Sequence, residues 1–472
     1  RLGELIQRED QNGTIHDYTR DNLGRTVQDE VTFAFGTDID QTIDQISYTF
    51  DGLGRLTHVQ SHDGSTVANE VKFEYTPLCR LEHFHPNHCG VSYGGTARQT
   101  GTETVSYAFD TFAFDDGVNP PNRSLVESVT YPADRGLDPT ITINRGPVST
   151  PGHARARGYQ VEDFAYPSTH DLVDYHFIGM AGVAEVDLPI PDVKLDRRVD
   201  HNGVTTAEPS PADDLFPGED FQYTYDGLDR LPKAMRGADV PAGFTHQPGG
   251  SKQWDLDPLG NWTGYDTDET GDGDFIDTAD DTETRTHNTV NELLTTDGDP
   301  IDKTMTYDDV GNMDYRQITD GMATTFNEYT YDAWNRLVKV GNFGVNVAEY
   351  EFNGLHHRIT SNASAFFGGK RWYYYNADWQ LVEEHVDTDE VSETAPRERV
   401  GQYFWGLRYI DELIAKRIDR DPARTVAVDP EDRWDGNTGE FFFLNDHQFS
   451  VVATMRSDAS LHSRVSYAAY GP

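Results

Sequence analysis

Short stretches of alternating apolar and polar residues recur along the chain, and each one leads into a turn-forming tetrad. A full copy reads Tyr48-Thr-Phe-Asp51-Gly-Leu-Gly54-Arg55-Leu56. Alternation before the Asp is typical of a β-strand. Asp favours the first position of a type I turn, and Gly favours the fourth, where a positive φ angle is easily reached. Each copy therefore predicts a β-hairpin.

Copies of this pattern extend over most of the sequence, and some follow each other closely, as at Met305, Tyr329 and Tyr350. Asp229, Asn335 and His356 replace the fourth Gly in three copies, and these residue types tolerate the left-handed conformation best. Cys79 occupies the same position without such a tolerance. The pattern predicts structural turn roles for Asp21, Gly24, Asp51, Gly54, Asp226, Asp257, Gly260, Asp308, Gly311 and Asp332.

A lone two-stranded hairpin is only marginally stable, so neighbouring hairpins must pair edge to edge. The sequence therefore predicts an all-β protein, in which an array of hairpins forms a broad twisted sheet that must coil, close or be covered to hide its edges and apolar face. N-terminal repeats occupy residues 1–110, a divergent β region follows at 111–215, and the clearest repeats fill 216–472 around an acidic insertion at 264–284. We expect these stretches to form one continuous β structure, with a short helix at Tyr409–Arg417.

Composition narrows the classes of partner. The 81 acidic and 38 basic residues among 472 give a net charge of −43, which disfavours binding to nucleic acids and to anionic membranes. The 24 Tyr, 24 Phe and 7 Trp argue against disorder, because aromatic side chains bury large areas. No apolar run approaches the roughly 18 residues of a membrane-spanning helix, and the first residues lack the pattern of a signal peptide.

The acidic insertion fits the frame of a twelve-residue calcium loop. Such a loop takes oxygen ligands from positions 1, 3, 5, 9 and 12, with Gly at position 6. Counted from its first Asp, with Gly271 in the sixth place, the candidate ligands are Asp266, Asp268, Thr270, Asp274 and Asp277. Calcium is the one cofactor that the sequence predicts. The alternative is a solvated acidic insertion that binds nothing.

A second cluster of candidate ligands holds two thiols and three imidazoles: Cys79, His83, His85, His88 and Cys89. All five can bind zinc, but their spacing is not that of a standard zinc finger. A disulfide within the hairpin is an alternative for the two cysteines, and a third alternative is that the cluster forms neither a disulfide nor a metal site. The two-residue spacing that places His83 and His85 on one strand face favours a metal.

Common enzyme motifs do not occur in this sequence: there is no Gly-x-Ser-x-Gly elbow, no His-Glu-x-x-His pair and no phosphate-binding loop. A hydrolase therefore ranks below two non-catalytic hypotheses. In one of them the protein is a cell-surface adhesin, whose exposed aromatics, such as Trp372-Tyr-Tyr-Tyr375, stack on surface glycans. The alternative for that run is an aromatic strand in the core.

The ordered series of motifs resembles the YD-repeat, or Rhs, family, most closely the Rhs core of planctomycete type. It includes Tyr223-Thr-Tyr-Asp-Gly-Leu-Asp-Arg-Leu231, Thr330-Tyr-Asp-Ala-Trp-Asn-Arg-Leu-Val-Lys339 and the closing Tyr467-Ala-Ala-Tyr-Gly471. Members include bacterial polymorphic toxins, components of insecticidal toxin complexes and animal teneurins. The resemblance implies a YD-repeat array of β-hairpins that forms a spiralling sheet, a hollow shell or a barrel, which in toxin members encloses a C-terminal cargo segment. It also implies that the region of aspartyl self-cleavage would lie beyond residue 472.

The other non-catalytic hypothesis, which we favour, combines the array and the resemblance. We expect a secreted or cell-surface structural protein, a segment of a β shell or filament that encapsulates, delivers or scaffolds. Its partners would be further copies of itself, or a cargo domain outside this chain.

Overall fold

The structure is a computed structural model. It describes residues 3–35, 38–87, 105–109, 126–130, 140–145, 151–156, 159–162, 175–178, 186–188, 198–199, 205–208, 220–240, 243–277, 280–298, 301–363, 370–387, 397–406, 409–418, 440–445, 450–456, 461–465 and 467.

All the regular elements of these residues are β-strands. The first fourteen are β1 (Gln7–Glu9), β2 (Ile15–Arg20), β3 (Thr26–Thr32), β4 (Gln45–Phe50), β5 (Leu56–Asp63), β6 (Thr66–Tyr75), β7 (Leu81–Asn87), β8 (Val105–Phe109), β9 (Val126–Thr130), β10 (Thr140–Arg145), β11 (Pro151–Ala156), β12 (Tyr159–Glu162), β13 (Tyr175–Ile178) and β14 (Val186–Leu188).

The others are β15 (Arg198–Val199), β16 (Thr205–Glu208), β17 (Asp220–Thr224), β18 (Lys233–Val240), β19 (Gly243–His246), β20 (Ser251–Leu256), β21 (Trp262–Asp268), β22 (Asp281–His287), β23 (Leu293–Gly298), β24 (Ile301–Tyr307), β25 (Met313–Asp320), β26 (Ala323–Tyr331), β27 (Leu337–Asn342), β28 (Val345–Phe352), β29 (Arg358–Ala363), β30 (Lys370–Tyr375), β31 (Leu381–Asp387), β32 (Arg397–Trp405), β33 (Leu413–Ile418), β34 (Glu440–Asn445), β35 (Val451–Arg456) and β36 (Leu461–Arg464).

The strands pair in the order in which they follow along the chain. Strands β1 to β14 form one sheet and β15 to β36 another, with one additional pairing between β18 and β20. Neighbours run antiparallel, so that Tyr48 of β4, for example, faces Val59 of β5. The predicted all-β array of hairpins is confirmed.

The chain divides into two compact units. Unit 1 comprises residues 1–189, 330–340 and 346–466, and unit 2 comprises residues 190–329, 341–345 and 467–472. Both units combine segments that lie far apart in the sequence. The described part of the chain contains no helix long and apolar enough to cross a membrane.

Unit 1 has a hydrophobic core to which distant strands contribute. The core cluster consists of Val105, Val129, Trp372, Tyr374, Val382 and Phe404, and all six side chains are buried. Strands β8 and β9 supply the two valines, and β30 to β32 supply the larger residues. Burial of apolar surface from both groups of strands therefore holds them together.

A second contact in unit 1 places a turn against the face of β4 and β5. A Cβ atom on Gly354 would lie 2.5 Å from Val59 Cγ1 and 3.1 Å from Ile46 Cγ2, so only a residue without a side chain fits there. Beside this contact, the Asn69 side-chain amide of β6 donates a hydrogen bond to the Phe352 carbonyl (3.0 Å).

Unit 2 contains an aromatic cluster on β20 and β21. The Trp254 ring is buried, with its centroid 5.6 Å from that of Trp262, and the Trp262 ring stacks on Tyr265 at 6.2 Å. The Arg285 guanidinium of β22 lies 4.7 Å from the Trp262 ring centroid. Motif aromatics therefore contact each other both within a strand and across neighbouring strands, and cross-strand side-chain pairs are the usual unit of sheet stabilisation.

The predicted helix at Tyr409–Arg417 is wrong. Residues 409–412 form a turn, in which the Glu412 N–H donates to the Tyr409 carbonyl (3.2 Å), and β33 follows. Strand β33 pairs with β32 and β34. Pairing on both edges satisfies the backbone of this segment and overrides its local helix propensity.

Candidate functional site

The hairpin turns of the repeat share one backbone geometry. In each, the N–H of the first residue donates to the carbonyl of the fifth, and the N–H of the fourth donates to the carbonyl of the first, and all of these bonds are 2.8–3.3 Å long. Such turns begin at Asp21, Asp51, Thr76, Asp226, Asp257, Asn288, Asp308, Asp332, Asn353 and Asn376.

The fourth residue of these turns takes a positive φ whatever its type. Gly54 has φ 88°, Asp229 and Asn335 each have 59°, and His356 has 67°. Cys79, which is exposed, has φ 66° in the turn that begins at Thr76. The turns therefore keep the same backbone geometry even where the fourth residue is of a type for which the left-handed region is costly.

The first side chain caps the turn. In the turn 51–55, Asp51 Oδ1 accepts hydrogen bonds from the N–H groups of Leu53 and Arg55, both at 2.9 Å. Its second oxygen, Oδ2, accepts from Arg55 Nε at 2.6 Å. We call the side chains at the first and fifth positions of a turn the lock pair.

These hydrogen bonds change the acidity of the capping carboxylates. The Arg25 side chain holds the pKa of Asp21 below its ordinary value, and the Arg55 backbone N–H does the same for the pKa of Asp51. A carboxylate that is stabilised in its charged form and fully engaged as an acceptor is a poor general acid or base. The Asp at the first position of these turns therefore has a structural role.

Some turns reverse the donor and acceptor roles of the lock pair. Asn288 donates to Glu292 Oε2 at 2.5 Å, and Asn376 donates to Gln380 Oε1 at 2.6 Å. Sequence reasoning missed the turn 376–380, in which Trp379 occupies the fourth position with φ 67°. The sequence signal for this turn is an Asn followed four residues later by a side chain that can accept a hydrogen bond from it.

The fifth side chain also connects its turn to the next turn of the array. Arg336 Nη1 donates to the carbonyl of Asn353, the first residue of the next turn, at 2.9 Å. Arg230 makes the same bond to the carbonyl of Asp257 at 2.7 Å. Arg25 lies over the ring of Phe50, 4.2 Å from its centroid, just before the next turn. One side chain therefore stabilises two successive hairpins.

The left-handed fourth position can be tested at Gly260 of unit 2. Gly260 has φ 93°, and a Cβ there would meet nothing within 4 Å. The substitution Gly260→Ala therefore measures only the cost of placing a residue with a side chain in the left-handed backbone conformation. We expect the free energy of unfolding to fall by about 1–2 kcal/mol in chemical denaturation.

Gly227 is the matched control, because a Cβ there also meets nothing within 4 Å and its φ is not positive. We expect Gly227→Ala to be neutral or to stabilise by about 0.4–1 kcal/mol. Equal losses at the two positions would contradict the assigned turn geometry.

The acidic insertion places its predicted ligands in different environments. Asp266 lies in β21, opposite Gln253 and Thr282. Asp268 is buried, and its two oxygens accept from the backbone N–H groups of Gly271 and Gly273 at 2.5 and 2.9 Å. Asp268 therefore organises the backbone of the loop.

Three exposed carboxylates converge at the tip of this insertion. The oxygens of Asp272, Asp274 and Asp277 lie within 4.8 Å of one another, and Asp272 is not among the residues that the calcium frame predicts. The charge of Asp272, more than burial, raises the pKa of Asp277. Oxygen donors at this separation fit a hard cation such as Ca²⁺. Calcium binding by this loop stays a prediction.

The cysteine and histidine cluster lies only partly in the described residues. Cys79 lies in a turn, and His83 and His85 follow in β7 with ring centroids 6.0 Å apart. His83 Nδ1 is 2.9 Å from Ser106 Oγ. His88 and Cys89 lie outside the described residues, so the disulfide and the metal site both stay predictions.

The aromatic run in β30 is not a row of exposed rings. Trp372 and Tyr374 are buried in the core of unit 1, and the Tyr373 hydroxyl forms a hydrogen bond with Ser361 Oγ at 2.9 Å. Alternate residues of a strand point to opposite faces, and here one face packs against β8 and β9. The expectation that glycans stack on this run is therefore wrong for its two buried members.

Comparisons with known proteins gave structural matches only. No family model matches the chain, and no curated protein matches it. The crystal structure of TcdB2-TccC3 has a TM-score of 0.47 and 12% identity over 99% of this chain and 25% of that chain. The Tc holotoxin pore of Photorhabdus luminescens has a TM-score of 0.48 and 11% identity over 99% and 24%. The chain thus spans about a quarter of the length of these proteins.

Proposed function

We propose that this chain is a segment of a non-catalytic, extracellular β wall of the YD-repeat kind, a shell or filament that encloses, delivers or scaffolds. The observation that carries the proposal is the connection between successive turns. Each Asp of a lock pair caps its own turn, and Arg230 and Arg336 also reach the first residue of the next one. The side chains that define the repeat are therefore used to build an extended sheet.

The strand order supports a wall better than a compact enzyme core. The described residues form sheets of 14 and 22 strands, paired in the order of the sequence, and such sheets grow by adding hairpins at an edge. Large open sheets must coil, close or be covered, because exposed edges and apolar faces promote association. A shell would close on a cargo segment, whereas a filament would pair its edges with further copies.

Electron microscopy of the purified protein over a range of concentrations tests this proposal. A shell predicts hollow particles whose size does not depend on concentration, since the sheet closes on itself. A filament predicts fibres that lengthen with concentration, because an open contact repeats without closing. Solid, compact particles of constant size at every concentration would contradict both forms of the wall.

A further inference from the structure

A buried histidine in unit 1 connects β2 to the turn 332–336. His16 is 6% exposed, and its Nδ1 lies 2.8 Å from Asp29 Oδ1 of β3. Its Nε2 lies 3.1 Å from the carbonyl oxygen of Ala333. The second oxygen of Asp29 accepts a hydrogen bond from Trp334 Nε1 at 2.9 Å. Asp29 and His16 therefore hold this turn from two sides.

The partners of His16 specify its protonation. A carbonyl oxygen can only accept a hydrogen bond, and so can an ionised carboxylate. Neutral imidazole carries one N–H and could satisfy only one of the two. Both bonds form when His16 and Asp29 share one additional proton, as an imidazolium beside a carboxylate.

Taken together, the groups around His16 favour its protonated form. The Tyr18 ring stacks on His16 with centroids 6.2 Å apart, and the Trp334 ring meets it edge-on at 5.7 Å. Burial lowers the pKa of His16, and so does the nearby charge of Arg8. The hydrogen bond to Asp29, the charge of Asp29 and the hydrogen bond to the Ala333 carbonyl outweigh these two effects, so that the pKa of His16 is raised above 6.5.

Other titratable groups near this contact also interact with Asp29, and one of them, His356, interacts more strongly with Arg336 and Asp332 of the turn. In the turn itself, Asp332 and Arg336 form an ion pair, with Oδ2 and Nε 2.6 Å apart. Tyr48 of β4 and His356 interact electrostatically with Asp29.

We propose that His16 is a pH-sensitive latch, which holds the turn 332–336 against β2 and β3 while it is protonated and releases this turn when the proton is lost. The stabilising contribution is complete below pH 6.5 and decreases as the pH rises through the raised pKa of His16. Acid therefore tightens this contact in unit 1, and alkali loosens it.

Site-resolved hydrogen exchange at histidine Cε1–H, read by mass spectrometry from pH 4 to 9, tests the protonation of His16 in the unmodified protein. We expect a titration midpoint above 6.5 for His16. His62 of β5 is the matched control, because its Nε2 has the neutral partner Ser47 Oγ at 2.8 Å and burial lowers its pKa. A midpoint for His16 at or below 6.5 would overturn the latch.

Amide hydrogen exchange in the same samples tests the release, after correction for the intrinsic pH dependence of exchange. Protection of residues 332–336 should fall by up to about tenfold per pH unit between pH 6.5 and the His16 midpoint and level off above it, since one proton is linked to opening. The turn 353–357 should keep its protection.

The variant His16→Gln should lower the protection of 332–336 and remove its dependence on pH. A pH dependence that persists in this variant, or that is equal in both turns of the unmodified protein, would contradict the proposal.

Discussion

Replacing Asp332 with alanine should lower the free energy of unfolding by about 3–5 kcal/mol, because it breaks a buried ion pair. Asp332 is 3% exposed and its partner Arg336 is 8% exposed. Without the carboxylate, the guanidinium stays buried with no opposite charge. The backbone N–H groups of Trp334 and Arg336, each 3.0 Å from Oδ1, also lose their acceptor.

Asp51→Ala is the matched control for this prediction. Asp51 makes the same two backbone bonds and the same bond to its Arg, but about a quarter of each side chain of the pair is exposed. Solvent screens an exposed pair and hydrates the Arg when its partner is gone. We expect a much smaller loss in urea unfolding of unit 1. Equal losses would show that burial does not set the strength of the lock pair.

Replacing Phe404 with alanine should cost about 3–5 kcal/mol, through lost transfer energy and the cavity that remains. Phe404 is 4% exposed and belongs to the core cluster that joins β8 and β9 to β30, β31 and β32. Strands from distant parts of the sequence thus lose a shared apolar contact. We expect unit 1 to unfold at lower temperature and lower denaturant concentration.

Leu53→Ala provides the matched control, because Leu53 lies at a turn tip and is 71% exposed. Its truncation should change the free energy of unfolding by less than about 0.5 kcal/mol. If the two truncations had similar effects, the cluster would not be the core of unit 1.

The hairpins could be predicted from the sequence because each turn depends on chemistry within five residues. An Asp accepts hydrogen bonds from the N–H groups two and four residues later, and a residue that tolerates positive φ closes the turn. Asn376 and Gln380 escaped this pattern, since they reverse the donor and acceptor roles and Trp379 takes the left-handed position.

Contacts between distant segments could not be predicted in this way. The pattern places Trp334 at a turn tip, where its equivalent Leu53 is exposed, but Trp334 donates to Asp29 across 305 positions of sequence. The same holds for the strand at Leu413–Ile418, whose helix-like local pattern is overridden by its two neighbouring strands. Tertiary contacts determine the structure of such segments, and a short window of sequence does not include the residues that make those contacts.

The calcium frame does not specify the geometry of the acidic insertion, for a related reason. It names Asp268 as a ligand, and in the structure this carboxylate accepts hydrogen bonds from the backbone N–H groups of Gly271 and Gly273. Spacing alone does not distinguish a carboxylate that shapes a loop from one that faces outward. The spacing also does not indicate that Asp272 lies beside Asp274 and Asp277 in the folded loop.

The central claim is that complementary lock pairs hold the hairpins of the array, and a double-mutant cycle at 332 and 336 tests it most directly. Asp332→Asn and Arg336→Gln each leave one buried charge alone. The double variant leaves no buried charge and has the same two residue types as the lock pair of Asn376 and Gln380. In that pair, Gln380 Nε2 also donates a hydrogen bond outside its own turn, to the Ile410 carbonyl at 2.6 Å.

We predict that the double variant is more stable than the sum of the two single losses implies, with a coupling energy of about 0.5–3 kcal/mol. Losses that add to within about 0.5 kcal/mol would contradict the claim that the two side chains act as one structural unit.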